Sequence, residues 1–80
     1  MPDPPEVILY AAPGCHLCEE AARLLARLAR ELRFAWHEVD IHSDPTLERR
    51  YLLEIPVITL NGTVIAQAPI DERALRRALG

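Results

Sequence analysis

The chain has 80 residues, 50% of them hydrophobic and 26% charged, with a formal net charge of −3. This suits one small domain, residues 1–80, with a modest core, and is unlike a disordered segment. The charge offers no electrostatic basis for binding nucleic acid or an anionic membrane, and nothing demands more than a monomer.

Residues 1–6, Met1-Pro2-Asp3-Pro4-Pro5-Glu6, form a Pro-rich, acidic lead-in expected to fray. They lack the basic and apolar regions of a signal peptide or membrane span. With only two cysteines in the chain, this start points to the cytoplasm, where a lone disulfide is more often catalytic than structural. Val7 to Tyr10 is wholly apolar, as expected of a strand buried on both faces. Ala11-Ala12-Pro13-Gly14 is turn-like. From Cys15 to Arg33, Leu17, Ala21, Leu24, Leu25, Leu28 and Leu32 keep a helical period, with Arg23, Arg27 and Arg30 on the other face. Acidic residues at the start and basic ones at the end suit the helix dipole.

Phe34 to Ile41 reads as a second strand, placing Phe34, Trp36, Glu38 and Asp40 on one face. Ser43-Asp44-Pro45 supplies a cap and a first-position Pro for a short helix through Tyr51. Pro56–Leu60, Asn61-Gly62 and Thr63–Ala66 make a hairpin, since Asn-Gly readily takes the positive φ of a two-residue turn. Asp71 can cap a last helix with an apolar stripe of Ala74, Leu75, Ala78 and Leu79, ended by Gly80. The expected order is βαβαββα, an α/β fold whose mixed four-stranded sheet carries helices on both faces.

Cys15-His16-Leu17-Cys18 lies at the first strand-to-helix junction. The orphan N–H groups and the dipole at a helix N-terminus favour an anion there, and the thiolate is the nucleophile of disulfide exchange. Two thiols one helical turn apart can bridge each other. Cys15 at the cap is expected to be the exposed thiolate, and Cys18, beside the buried stripe, the shielded resolving thiol. A cationic His16 would stabilise the thiolate, and Glu19 and Glu20 act against it; a solvated helix-start residue is the plainer reading of His16. Other readings remain at this point: two inert buried cysteines, or half a zinc site completed by His16, His37 and His42, without a second CxxC. Ile55-Pro56 is a second constellation. A Pro at the start of a strand beside the first would lie near Cys15, is compatible with a cis bond, and would leave the Ile55 backbone for an extended peptide.

These stretches resemble the thioredoxin superfamily and, within it, small bacterial glutaredoxin-like proteins. The likeness runs from Val7 to Leu79, through Tyr10–Cys18, Val39-Asp40-Ile41, Ser43-Asp44-Pro45, Tyr51, Ile55-Pro56-Val57 and Asn61-Gly62. It implies a thioredoxin-like fold and a thiol–disulfide oxidoreductase with Cys15 as nucleophile, Cys18 as resolving thiol and Pro56 in cis. Gly14, His16, Ile55 and Pro56 are the candidate substrate-binding or tuning residues. No cofactor beyond the Cys15–Cys18 disulfide and no metal are expected; the partners expected are a protein disulfide substrate, a dithiol reductase, or both.

The chain departs from the glutaredoxin pattern where that pattern holds glutathione. A basic residue three before the first cysteine is replaced by Ala12, a Thr two before the cis-Pro by Glu54, and a Gly-Gly by Ala66-Gln67; Asp71-Glu72 is the nearest counterpart of a following acidic pair. Weak glutathione use is therefore expected. Thioredoxin matches no better: its buried Asp corresponds to Leu9 and the Trp before its first cysteine to Gly14. Two other classes compete. A soft-metal binding module would use the CxxC thiolates for Cu(I), although such domains usually have Met where this chain has Pro13 and follow the order βαββαβ. A redox-inert interaction domain is the other, because fold does not dictate function.

Overall fold

The computed structural model describes residues 4–80. Strand β1 (Val7–Ala11) is followed by helix α1 (His16–Leu32), strand β2 (Trp36–Asp40), a 3-10 turn (Ile41–Ser43), helix α2 (Pro45–Tyr51), the hairpin of β3 (Val57–Leu60) and β4 (Thr63–Gln67), and helix α3 (Glu72–Leu79). The strands form one sheet in the order β2-β1-β3-β4. β1 runs parallel to β2 and antiparallel to β3, and β3 is antiparallel to β4. The βαβαββα order expected from the sequence is realised.

Side-chain alternation along β1 divides the core in two. Val7, Leu9 and Ala11 face α1 and α3, packing with Cys18, Ala21, Leu25, Leu28, Ile58 and Leu75. On the other face Tyr10 packs against Ile41, Tyr51 and Val57 beneath α2. The Tyr10 and Tyr51 rings stack with centroids 4.8 Å apart. Ile55 touches both clusters, so the residue before Pro56 is wedged at the edge where the two cores meet.

Local chemistry sets the element ends. α1 stops at Arg33, whose φ of 60° is left-handed and whose N–H donates to the Ala29 carbonyl. Asp44 and Asp71 accept from the backbone N–H groups of Thr46 and Arg73, capping α2 and α3. Asn61 and Gly62 both take positive φ, 51° and 86°, in the hairpin turn. Of the lead-in expected to fray, residues 1–3 lie outside the described residues, while Glu6 exchanges two hydrogen bonds with Asn61, at 2.9 Å each. The second strand is shorter than expected. Ile41 leaves the sheet for the 3-10 turn, where the Asp40 carboxylate accepts from the His42 N–H, and its side chain is buried under α2.

Candidate functional site

Cys15 and Cys18 are joined by a disulfide, their Cα atoms 5.2 Å apart. Cys15 is the N-cap of α1, and its Sγ accepts from the Cys18 N–H at 3.1 Å. A side-chain acceptor at this position satisfies one of the orphan donors of the first turn. In the reduced protein the same donor would face a Cys15 thiolate, where the bond becomes charge-assisted. Gly14, with φ +76°, ends the turn that delivers Cys15 to the cap. The two sulfurs are unequal: Cys15 is half-buried, whereas Cys18 is 4% exposed and belongs to the apolar stripe of α1.

His16 is exposed at the start of α1. Its side chain is 77% exposed, with Nδ1 3.7 Å from Glu19 and Nε2 3.8 Å from Glu20. The ring lies between two carboxylates of its own helix. His37 lies exposed on β2, and His42 pairs with Glu48 at 2.8 Å. The three histidines are thus held apart, and among the described residues no three His, Cys, Asp or Glu side chains gather in a cluster that could hold a metal. The zinc arrangement sketched from the sequence is not assembled.

The Ile55–Pro56 peptide bond is cis, as is Ala68–Pro69. The Ile55 N–H is not free for an incoming peptide, because it donates to the Tyr51 carbonyl at 3.0 Å as the chain leaves α2. The Pro56 carbonyl accepts from the Ala68 N–H at 3.1 Å, which ties the Pro56 loop to the segment between β4 and α3. That segment was not singled out in the sequence, where Pro69 was its only signal. It matters because Pro69 and Ile70, with Pro56 and with Leu17, Ala21 and Leu24 of α1, wall an apolar cleft. A second, more polar cleft on the other flank of α1 brings Cys18 together with Arg23, Glu38 and Asp40.

Asp71 and Glu72, the nearest counterparts of the acidic pair, are engaged elsewhere. Asp71 caps α3, and Glu72 bridges Arg27 of α1 and Arg76. Hydrogen bonds from Arg27 and Arg76 hold the Glu72 carboxyl below its ordinary range. Arg76 also reaches Glu31 at 2.7 Å, so four charges stitch α3 to α1 along the surface.

Comparison with known proteins places this dithiol in a family. The model of the Glutaredoxin-like domain (DUF836) matches residues 6–80. The chain belongs to that family. Protein XcR50 from X. campestris, solved by X-ray diffraction, is 36% identical, with a TM-score of 0.76 over 91% of this chain and 93% of that one. Protein Ne2328 from Nitrosomonas europaea, solved by NMR, superposes over 100% of this chain and 96% of its own with a TM-score of 0.84 at 24% identity. A protein of Mycobacterium tuberculosis is 31% identical over 77 residues, covering 90% of this chain and 79% of that one. Oxidised mitochondrial thioredoxin 3 from Saccharomyces cerevisiae, at 19% identity and a TM-score of 0.69, shares the fold over 94% of this chain and 76% of its own. The glutaredoxin-like fold is thus thioredoxin-like, as the resemblance implied. With its CxxC pair joined, it supports a thiol–disulfide redox role in general terms. The element order also differs from the βαββαβ of the soft-metal domains. No helix among the described residues is long and apolar enough to cross a membrane.

Proposed function

We propose that the protein is a dithiol thiol–disulfide oxidoreductase of the cytoplasm, acting on protein or small-molecule disulfides with weak use of glutathione. The observation that carries this reading is the inequality of the two sulfurs on one helical turn. Cys15 accepts a backbone N–H at the helix cap, and Cys18 is buried three residues on.

In the reductive direction the Cys15 thiolate attacks one sulfur of the substrate disulfide. The Cys15–substrate bond forms, the substrate S–S bond breaks, and the first substrate thiolate leaves and takes a proton from water. Cys18 then loses its proton to water in the polar cleft beside it. Its thiolate attacks Cys15, forming the Cys15–Cys18 bond and releasing the second substrate thiolate, which is protonated in turn. The substrate gains two electrons and the enzyme dithiol loses two. A dithiol reductase as partner returns them by the same exchange in reverse. No other cofactor is required, and the protein acts as a monomer without nucleic acid or membrane.

Three features support weak glutathione use. Ala12 offers no cation to a tripeptide carboxylate, Glu54 sets an exposed negative charge two residues before Pro56, and Asp71 is committed to capping α3. The decisive experiment pairs Cys15→Ser with Cys18→Ser and follows intact mass on exposure to 2-hydroxyethyl disulfide. The Cys18→Ser protein should gain one mercaptoethanol adduct at Cys15 and hold it, and Cys15→Ser should show no turnover. Equal behaviour of the two variants would defeat the assignment of roles. Stoichiometric Cu(I) binding without reversible disulfide formation would favour the metal-binding class instead.

A further inference from the structure

The polar cleft on the second flank of α1 has a volume of about 490 Å³ and is where Cys18 meets charge. Cys18 is 4% exposed and shares its core cluster with Leu9, Ile58 and Leu75, none of them charged. The charged side chains that line the cleft with it are Glu19 and Arg23 of α1 and Glu38 and Asp40 of β2. Sheet register explains the two acids of β2. Glu38 stands opposite Leu9 and Asp40 opposite Ala11, so both turn to the face of the sheet that α1 covers. Arg23 lies beyond Cys18 on α1, and helical side chains lean toward the helix N-terminus, which carries its guanidinium back along the cleft. Two of the carboxylates are committed elsewhere: Asp40 accepts from the His42 N–H at 2.9 Å, and Glu19 lies 3.7 Å from His16. That leaves Arg23 and Glu38, both exposed to solvent.

The chemistry of turnover gives these two charges a role. Once Cys15 has attacked, the mixed disulfide persists until Cys18 loses its proton. Burial disfavours the Cys18 thiolate, a nearby cation favours it, and a nearby carboxylate opposes it. We propose that Arg23 and Glu38 are opposed positioning residues for this step, acting on Cys18 across the cleft and setting how long the mixed disulfide lasts. The proposal rests on the oxidoreductase reading and assigns the control of its second half. The Cys18 proton passes to water in the cleft, and the Cys18 thiolate attacks the Cys15 sulfur. The Cys15–Cys18 bond forms, the Cys15–substrate bond breaks, and the substrate thiolate leaves with the electron pair and is protonated by water.

The test mixes the reduced full-length chain with dithiodipyridine in stopped flow, where each released pyridinethione absorbs. Attack by Cys15 releases the first at a rate that scales with reagent concentration. Resolution by Cys18 releases the second at a rate independent of it. Near neutral pH, Arg23→Gln should slow the second phase about threefold and Glu38→Gln should quicken it about threefold, the scale of one charge acting across a water-filled cleft. The rise of that phase with pH should move about half a unit to higher pH in Arg23→Gln and to lower pH in Glu38→Gln, with its plateau at the native height. Arg23→Lys and Glu38→Asp should restore the native profile, and the differences should collapse in 1 M salt, where charges are screened within about 3 Å. Both charge-removing variants shifting the phase the same way, a changed plateau without a shift along pH, or no change in either would overturn this proposal alone. A native chain that releases the first pyridinethione but never the second would overturn the dithiol reading, and the proposal with it.

Discussion

Two different forces could hold α3 against α1, and they can be separated by one pair of substitutions. Leu75 is the one fully buried residue of α3 and sits in the core with Leu25 and Leu28. The charged set Arg27, Glu72, Arg76 and Glu31 lies at the surface, each side chain more than two-fifths exposed. Leu75→Ala removes the branched end of a fully buried side chain and leaves a cavity, at a cost of about 3 kcal/mol. An 80-residue chain carries a total stability of about 4–12 kcal/mol. Urea unfolding, followed by Trp36 fluorescence and helical circular dichroism, should therefore show a midpoint lower by about 3 M, taking a slope of about 1 kcal/mol per M. Urea is uncharged and leaves the ion pairs unscreened. Glu72→Gln removes the charge from both of its arginine contacts, yet should move the midpoint by only a small fraction of that amount, because exposed pairs gain little over solvated charges. The residual shift should vanish in 1 M salt, where charges are screened within about 3 Å. Should Glu72→Gln in dilute salt match Leu75→Ala, the ion pairs rather than burial would be holding α3.

Thr59 on β3 is 2% exposed, and its hydroxyl is buried without a hydrogen-bond partner among the described residues. Thr59→Val keeps the branched shape and removes the unpaired oxygen, so the same urea titration should show a gain of about 1 kcal/mol; a loss would mean the hydroxyl is satisfied by water. His42 Nδ1–H donates to the Glu48 carboxylate at 2.8 Å, and this bond raises its pKa above the ordinary 6.5. A raised folded pKa adds stability that is fully present below 6.5 and disappears as pH rises through the folded value. The midpoint difference between the native chain and Glu48→Gln should accordingly be largest on the acid side of 6.5 and shrink toward alkaline pH. A difference that grows with pH would contradict the pairing.

The parts of the fold legible in the sequence are those specified by residues close together in the chain. The apolar stripe of α1, the Asp44-Pro45 start of α2 and the Asn61-Gly62 turn each require only a local backbone preference, and each appears where that preference puts it. The dithiol was legible for the same reason, since a three-residue spacing at a helix start is a local fact. What could not be read depends on separate segments meeting. The Ile55 N–H looked available until α2 ended so as to place the Tyr51 carbonyl against it. Arg27 looked like part of a solvated face, and only the docking of α3 shows it bonded to Glu72. The Ala68–Ile70 segment carries no periodicity, yet the hydrogen bond from Ala68 to Pro56 makes it a wall of the cleft.

The chemistry of the site can be traced to the register of one helix. A helix turns about 100° per residue, so Cys18, Ala21, Leu25 and Leu28 fall on one line, the line that is buried. Cys18 is shielded because it is the first residue of that stripe. Cys15 lies one turn earlier, before the first helical residue, where its sulfur accepts the Cys18 N–H at the edge of the core. Leu17, Ala21 and Leu24 follow an i, i+4, i+7 line on the flank, which is why the apolar cleft runs along that side of α1. An insertion of two residues between Cys15 and Cys18 would keep both thiols but set them about 140° apart around the helix. The sulfurs would then no longer sit on one side of a single turn, and the contrast between an attacking and a resolving thiol would be lost even though the fold survived.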